Sequence, residues 1–392
     1  MLNAPVTTPD FDTVYDRTGT ENSKWHHFPP DVLPMYVADM DFRSPEPVIR
    51  ALRERVEHGF FGYGIEQPEF YEVVCDRLWR RYRWRVAPEA IVTFPGVISA
   101  FNLAVKTFAT PGDGVLIHMP AYGPILNCPE RYGMTRDEAQ LVQGSDGRYE
   151  VDWDSFERAC SPRTRIFLNC NPHNPAGRVF TREELARMTS ICMEKEILIV
   201  SDEIHSDIVY PGHEHTPIAT LSPEVEARTI TLMAPSKTFN LPGLKASIAI
   251  IPDAGLRERM VAARTGLVTA VNILGYTACL AAYRDCDPWL SELIPYLHAN
   301  RDYAAAFIAE RMPALKMTVP EGTYLAWIDC RGAGIPGADP RDFFLEQAKV
   351  GLSSGVDFGA KGFVRLNFAC PRSMLTGGLE RMARALASMG NG

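Results

Sequence analysis

Short apolar runs alternate with stretches of helical periodicity through the middle of the 392-residue chain. Apolar runs bounded by turn residues predict buried strands, and apolar residues spaced about three to four apart predict helices between them. Alternating strands and helices are typical of a mainly parallel sheet that helices cover on both faces. The predicted strands lie at residues 91–94, 115–119, 165–169, 197–202, 229–233 and 247–251.

The pattern divides the chain into three parts. Residues 1–45 are irregular and rich in proline, aspartate and aromatic residues, which predicts an ordered N-terminal arm that forms part of a small domain. Residues 46–285 are predicted to form the large domain, which opens with two amphipathic helices. Residues 286–392 predict a smaller α+β domain with a long helix over residues 290–309 and a half-exposed antiparallel sheet. The strands predicted for this sheet lie at residues 317–319, 324–329 and 363–368.

Charge and cysteine content exclude several classes of function. A formal net charge of −8 argues against a surface that binds nucleic acid or anionic membranes, because such surfaces concentrate basic charge. No apolar run reaches the roughly 18 residues of a membrane span, and residues 1–10 lack a signal-like pattern, so we expect neither membrane insertion nor secretion. Nine cysteines without a CxxC pair fit reduced thiols in the cytoplasm, and no residue pattern predicts a metal site.

Glycine or polar residues stand at or just after the ends of the predicted strands. The carboxyl ends of parallel strands meet at one edge of a sheet, and open α/β sheets bind their ligands there. We therefore expect one shared rim. Its predicted members are Gly96, Tyr122, Asn174, Asp202 and Lys237.

Asp202 and Lys237 each close an apolar strand, and together they predict a cofactor. A lysine among apolar neighbours has a lowered pKa, so its neutral amine can attack an aldehyde to form a Schiff base. A carboxylate beside a pyridine nitrogen keeps that nitrogen protonated and makes the ring an electron sink. The cofactor that carries both groups is pyridoxal 5'-phosphate (PLP). The alternatives are a surface lysine and an aspartate that caps a helix.

A phosphate site is predicted where a strand passes through Gly96 directly into a helix that begins with Val97 and Ile98. Free backbone amides at a helix start bind anions. Ser236 and Lys245 could add a hydroxyl and a cation. Lys245 fits a solvated surface residue equally well, and a strand-glycine-helix turn by itself is weak evidence for a ligand.

Three more residues fit contacts with a cofactor ring and an amino-acid substrate. Asn174 can donate a hydrogen bond to a ring oxygen and Tyr122 can stack on the ring, with turn formation and rim packing as the alternatives. Arg365 lies inside an apolar strand, where arginine suits bidentate binding of a carboxylate or a buried ion pair. His213 and His215 lie beside a Pro-Gly turn and are predicted to be surface residues rather than ligands.

Taken together, these motifs resemble the fold-type I PLP enzymes, the aspartate aminotransferase superfamily, across essentially the whole chain. Within that superfamily the chain is most similar to the bacterial C–S lyases of the cystathionine β-lyase type. The resemblance implies an α/β fold with an aminotransferase-like three-layer α/β/α large domain on a mainly parallel sheet, plus a smaller α+β domain. The segments that carry it are residues 36–42 (YVADMDF), 171–175 (NPHNP), 201–207 (SDEIHSD), 236–241 (SKTFNL) and 365–372 (RLNFACPR).

The resemblance also implies roles for individual residues. Lys237 would bind PLP covalently, Asp202 would hold the pyridine nitrogen, and Arg365 would bind the substrate α-carboxylate. Tyr63 would reach the phosphate of a neighbouring subunit, so the active unit would be a homodimer with both sites at its interface. The other residues implied are Asn174 at the ring oxygen, Tyr122 on the ring, His205 at the cofactor where many relatives have a tyrosine, and Ala38 beside the substrate.

The predicted reaction is a β-elimination on cystathionine or a cysteine S-conjugate, which yields a thiol, pyruvate and ammonia. The freed lysine amine would remove the Cα proton while the ring holds the resulting charge. Two other interpretations stay open: an aminotransferase that uses the same residues, and a PLP-bearing regulatory protein that binds a partner through its surface.

Overall fold

The computed structural model describes residues 9–145 and 147–389, so the first eight residues of the predicted arm lie outside the described residues. The strands are β1 (Leu33–Pro34), β2 (Ile91–Phe94), β3 (Gly114–Met119), β4 (Thr135–Gln143), β5 (Tyr149–Val151), β6 (Thr164–Cys170), β7 (Leu198–Asp202), β8 (Thr229–Met233), β9 (Ser247–Ile250), β10 (Lys316–Thr318), β11 (Leu325–Asp329), β12 (Val350–Gly351), β13 (Ser353–Ser354) and β14 (Phe363–Asn367). The α-helices are α1 (Ser23–His26), α2 (Glu46–Glu57), α3 (Pro68–Tyr82), α4 (Val97–Phe108), α5 (Gly123–Leu126), α6 (Cys128–Arg131), α7 (Trp153–Ala159), α8 (Arg182–Glu194), α9 (Pro223–Ala227), α10 (Pro235–Thr238), α11 (Ala254–Arg264), α12 (Ile273–Asp285), α13 (Asp287–Arg311), α14 (Pro340–Phe343) and α15 (Arg372–Met389).

The predicted mainly parallel sheet is present, with the strand order β2-β9-β8-β7-β6-β3-β4-β5. The pairs β8-β7, β7-β6, β6-β3 and β3-β4 are parallel, whereas β9 and the short edge strand β5 run antiparallel to their neighbours. Strands β3, β7 and β8 are almost entirely buried because helices cover both faces. Strands β4 and β5 were not predicted, since β4 is largely polar and lies near the edge of the sheet.

The helices follow local signals in the sequence. The two predicted amphipathic helices are α2 and α3, and each begins with a proline in its first turn. Helix α8 begins with a capping box, in which the Thr181 hydroxyl accepts from the Glu184 amide and the Glu184 carboxylate accepts from the Thr181 amide. The predicted long helix is α13, which continues past both predicted ends. Among residues 9–145 and 147–389, no helix has the length and apolar character to cross a membrane.

The smaller sheet is antiparallel, as predicted, with the order β10-β11-β14-β13. The prediction that it is half-exposed is wrong, because every residue of β11 and β14 is buried. Ala326 and Ile328 face one core shared with α13 and α15, while Trp327 packs on the other face in the core of the large sheet. There the Trp327 indole donates to the Tyr149 hydroxyl at 3.2 Å. The second face is therefore buried by contact between the two sheets.

Candidate active site

The rim predicted from the strand ends exists in the fold. Strands β2, β3, β6, β7 and β8 run in the same direction, since β2 and β8 both pair antiparallel with β9. Their carboxyl ends therefore open at one edge of the sheet, where we expect a ligand site. The residues at or just after these strand ends are Gly96, Tyr122, Asn174, Asp202 and Lys237.

Lys237 lies in α10, directly after β8, and its Nζ donates a 2.6 Å hydrogen bond to the carbonyl oxygen of Ala38. Ala38, which was predicted to lie beside the substrate, therefore contacts the amine through its backbone carbonyl. Burial lowers the pKa of Lys237 to about 8, and the positive charge of Arg365 acts in the same direction, while Asp39 and Asp202 oppose it. An amine with this pKa is largely neutral at mildly alkaline pH, so it can act as a nucleophile or a base.

Asp202 is the last residue of β7, and its side chain is buried. The Ile204 amide donates to Asp202 Oδ1 at 3.1 Å. Burial raises the pKa of Asp202 to about 7, although the Ile204 amide and the charge of Lys237 work against this. A buried carboxylate in this state is stabilised by a cationic partner.

Arg365 lies in the middle of β14 and is 4% exposed. Its Nη1 donates to Asn174 Oδ1 at 2.9 Å and its Nη2 donates to the Tyr36 carbonyl oxygen at 3.0 Å. Its Nε is buried without a hydrogen-bond partner among the described residues. Burial lowers the pKa of Arg365 to about 10, which still leaves it charged at neutral pH. A buried guanidinium with an unused donor fits a carboxylate ligand.

The contact with Arg365 also orients Asn174. It uses the side-chain oxygen of Asn174, so the amide nitrogen is the atom that can donate to a ligand.

Two rings complete the predicted cluster. Tyr122 is partly buried at the start of α5, and burial raises its pKa. His205 is buried, and its Nδ1 has no hydrogen-bond partner within the described part of the chain. Burial lowers the pKa of His205 to about 3, and the charges of Lys237 and Arg365 act the same way. Both rings are therefore neutral at physiological pH.

The predicted phosphate site is only partly assembled. Gly96 precedes α4, no side chain caps that helix, and a Cβ built on Gly96 would meet no atom within 4 Å. The start of α4 is therefore uncapped, with free space beside Gly96. Ser236 is partly buried next to the lysine, whereas Lys245 is exposed, as in the alternative interpretation. Its charge nevertheless contributes to lowering the pKa of Lys237.

Tyr63 does not join the other predicted residues within one chain. Its side chain is fully exposed. Phe60, Phe61 and Ile65 beside it are exposed by 74%, 59% and 72%. A contiguous exposed apolar loop of this kind marks an interaction surface.

The prediction that His215 is a surface residue is wrong. It is 6% exposed, and its Nε2 lies 2.8 Å from Oε2 of the fully buried Glu203. The loop folds back over the end of β7, where Glu203 needs a partner because a buried unpaired carboxylate is costly. His213 follows the prediction better, since its side chain is 35% exposed.

Two asparagines at the site were not predicted. Asn240 follows Lys237 by three positions and Asn367 follows Arg365 by two. Both donate to backbone carbonyl oxygens within residues 36–42. The sequence did give one indication of them, since both lie inside segments that carry the family resemblance, shortly after Lys237 and Arg365.

Comparison with known proteins shows which family the chain belongs to. The sequence model of the family described as aminotransferase class I and II matches residues 30–382. The chain belongs to this family. The match includes every residue predicted for the site, from Ala38 to Arg365.

Members that resemble the chain over nearly its full length include C–S lyases. Cystathionine beta-lyase PatB of Bacillus subtilis is 40% identical over 388 residues, which cover 96% of this chain and 100% of that protein. Cystalysin from Treponema denticola, whose crystal structure contains PLP, matches with a TM-score of 0.94 and 32% identity over 98% of this chain and 100% of its own. The PLP-bound C–S lyase from Staphylococcus hominis matches with a TM-score of 0.91 and 32% identity over 96% and 99%.

Proposed function

We propose that the protein is a PLP-dependent C–S β-lyase that cleaves cystathionine or a cysteine S-conjugate to a thiol, pyruvate and ammonia. The observation that carries this proposal is the meeting of Lys237, Asp202 and Arg365 around one buried site. An amine with a pKa of about 8, a carboxylate with a pKa of about 7 and a guanidinium with an unused donor fit an aldehyde, a pyridine nitrogen and a carboxylate. The relatives named as C–S lyases support the lyase branch of the family.

The side chains present fit PLP. Lys237 would bind its aldehyde carbon, and the buried Asp202 would face the protonated ring nitrogen. The phosphate would bind at the uncapped start of α4, where the space above Gly96 is open. Asn174 would donate to the ring oxygen, and Tyr122 would pack against the ring.

The chain's residues then divide the reaction between them. When bound, PLP supplies a ring that withdraws electrons from the substrate Cα. Arg365 binds the α-carboxylate and holds the amino acid with its Cα proton toward Lys237. The Lys237 amine accepts that proton, and the thiolate leaves from Cβ. His205 stays neutral, so it adds no positive charge next to Lys237 and Arg365.

The proposed active unit is a homodimer in the cytoplasm with a small amino acid as its substrate. The exposed loop that holds Phe60, Phe61, Tyr63 and Ile65 supports this, because burial against a second copy would cover the apolar side chains. In that arrangement Tyr63 would bind the phosphate in the partner's site.

The test is product formation by the purified, PLP-loaded protein. With cystathionine or an S-alkylcysteine, we expect continuous release of thiol, pyruvate and ammonia in equal amounts, and no release from Lys237→Ala. Thiol is measured with a disulfide reagent and pyruvate with a coupled dehydrogenase. A single conversion of the cofactor to its pyridoxamine form without pyruvate would instead favour the aminotransferase.

A further inference from the structure

Residues 36–42, which we name the arm segment, run between the two sheets without forming a regular strand. An irregular backbone in a buried place needs partners for its polar groups. Here side chains supply them, and most of the carbonyl oxygens of the segment accept at least one hydrogen bond from a side chain. The donors are Arg365 and Ser353 to carbonyl 36, Asn367 to 37, Lys237 and Tyr324 to 38, Asn367 and Lys24 to 39, Arg17 and Asn240 to 40, and Asn240 to 42.

Two of these donors are the residues to which the proposed function assigns the substrate carboxylate and the Cα proton. Arg365 lies in β14 of the small sheet and Lys237 lies in α10, just after β8 of the large sheet. The two residues contact carbonyls only two residues apart. Two residues of extended chain span at most about 7 Å. The arm segment therefore limits how far apart the two groups can stand.

Two asparagines hold the arm segment, one beside the carbonyl that Lys237 uses and one further along the segment. Asn367 Nδ2 donates to carbonyl 37 at 2.7 Å and to carbonyl 39 at 2.6 Å, on either side of the carbonyl that Lys237 uses. Asn240 Nδ2 donates to carbonyls 40 and 42 at 3.0 and 2.8 Å, and its Oδ1 accepts from the Met40 amide at 3.0 Å.

The buried Lys24 adds a charged anchor beneath the arm segment. Its Nζ donates to carbonyl 39 at 3.1 Å and lies 2.7 Å from Asp41 Oδ2 and 3.3 Å from Asp39 Oδ1. Burial opposes the charge of Lys24, but the two carboxylates outweigh it and raise its pKa. Lys24 is therefore charged and ties α1 to the arm segment.

We propose that the arm segment sets the separation and orientation of the Lys237 amine and the Arg365 guanidinium, and that Asn240 and Asn367 are positioning residues that act through it. This inference rests on the proposed roles of Lys237 and Arg365. It adds that the irregular arm, rather than either sheet, aligns the base with the bound carboxylate. It also explains why Asn240 and Asn367 stand so close behind the two cations along the chain.

The test compares Asn367→Ala with Asn300→Ala as a matched control. Asn300 is also buried, and its Nδ2 donates to carbonyls 368 and 370 at 3.0 and 2.8 Å, outside the arm segment. Each variant loses two hydrogen bonds to backbone carbonyls and one that Oδ1 accepts, so we expect comparable decreases in melting temperature. The Oδ1 donor is the Ala369 amide for Asn367 and Arg372 Nε for Asn300. Only Asn367→Ala should loosen the carbonyl that accepts from Lys237.

Two readouts separate positioning from general destabilisation. The first readout is labelling of Lys237 by trinitrobenzenesulfonate in the full chain freed of PLP, followed by peptide mass spectrometry over a range of pH. Its midpoint pH should be lower by about 0.5–1 unit in Asn367→Ala, because the loosened carbonyl 38 stabilises the ammonium less well. In the loaded enzyme, the substrate KM should rise and kcat should fall. Asn300→Ala should leave the midpoint pH of labelling, the KM and the kcat unchanged. Asp39, Asp202, Arg365 and Lys245, the charged groups that act on this amine, stay in place in both variants.

Asn240→Ala provides a second variant that loosens the arm segment from its other end, with the same expected results. Equal midpoints of Lys237 labelling in the wild type and all variants would overturn the inference. It would also be overturned if Asn240→Ala and Asn367→Ala both failed to fold while Asn300→Ala folded, because the contacts would then be purely structural. If the wild-type chain itself fails to attach PLP at Lys237, the proposed function fails instead.

Discussion

Burial shifts the two central ionisable residues toward neutral pH from opposite sides. It raises the pKa of Asp202 to about 7 and lowers that of Lys237 to about 8, because a poorly solvated environment disfavours charge of either sign. The amine can therefore lose its proton without strong alkali. The carboxylate is ready for a cationic partner.

The pKa of Lys237 gives a prediction for cofactor attachment. The rate at which PLP binds covalently to the cofactor-free protein should rise with pH around a midpoint of about 8, since only the neutral amine attacks an aldehyde. Asp202→Asn removes a negative charge that favours the ammonium, so its midpoint should lie lower. The measurement is stopped-flow absorbance of the bound cofactor at several pH values. A midpoint near the ordinary lysine value of about 10.4 in the wild type would contradict the assignment.

At the scale of elements, a buried ion-pair network fixes α10 against α3. Asp207 lies in the loop after β7, and its Oδ2 accepts from Arg77 Nη2 at 2.8 Å and from the Thr238 hydroxyl at 3.0 Å. Arg81 Nε lies 2.8 Å from its other oxygen. Burial opposes the charge of Asp207, but the two arginines outweigh it and hold its pKa far below the usual range. Thr238 follows Lys237 directly, so its hydrogen bond to Asp207 holds the backbone of α10 next to the lysine.

Asp207→Asn should lower the free energy of unfolding by about 2–3 kcal/mol. The buried Arg77 loses one of its two carboxylate partners, and only its pair with Asp287 at 2.7 Å remains. Asp76→Asn is the control, since its pair with Arg80 is exposed and should be worth about 0.5 kcal/mol or less. Urea unfolding at pH 7 measures both. The folded-state pKa of Asp207 is depressed, so its contribution is complete above the unfolded value of about 3.9 and is lost as pH falls below it. Equal effects of the two variants would contradict this account.

At the scale of the whole molecule, the loop with Phe60, Phe61, Tyr63 and Ile65 presents exposed apolar side chains that a second copy of the chain would cover. No residue of this loop belongs to the cluster around Lys237. The cluster around Lys237 therefore comes from one chain. The proposed homodimer adds Tyr63 of the second chain at the phosphate.

Mixing two inactive variants tests this arrangement. If Tyr63 serves the partner's site, Tyr63→Ala and Lys237→Ala subunits should each show little activity alone. After subunit exchange at equal amounts, about a quarter of wild-type activity should return, because half of the dimers are mixed and each has one intact site. Size-exclusion chromatography with light scattering checks the dimer. A monomeric wild type, or no recovery in confirmed mixed dimers, would contradict the proposal.

The sequence by itself determined the parallel sheet and the residues at its rim. Apolar strands that end in Asp202 and Lys237 are local signals, and the rule that parallel strands share a carboxyl edge converts them into a site. The capping box at Thr181 and Glu184 is local in the same sense. Arg365 stood out as an arginine inside an apolar strand, and the family motifs assigned it the substrate α-carboxylate. No strand-end argument would have placed it beside Lys237.

Only the tertiary structure decided which surfaces are buried and what the irregular segments contact. The ring of His215 packs against Tyr82 and the indole of Trp327 donates to Tyr149, so the burial of both side chains depends on elements far apart in the chain. So do the hydrogen bonds of Asn240 and Asn367 to the arm segment, which join positions about 200 and 330 residues apart. The periodicity of a segment shows only which face of that one helix or strand is apolar. Which other element packs against that face depends on residues distant along the sequence.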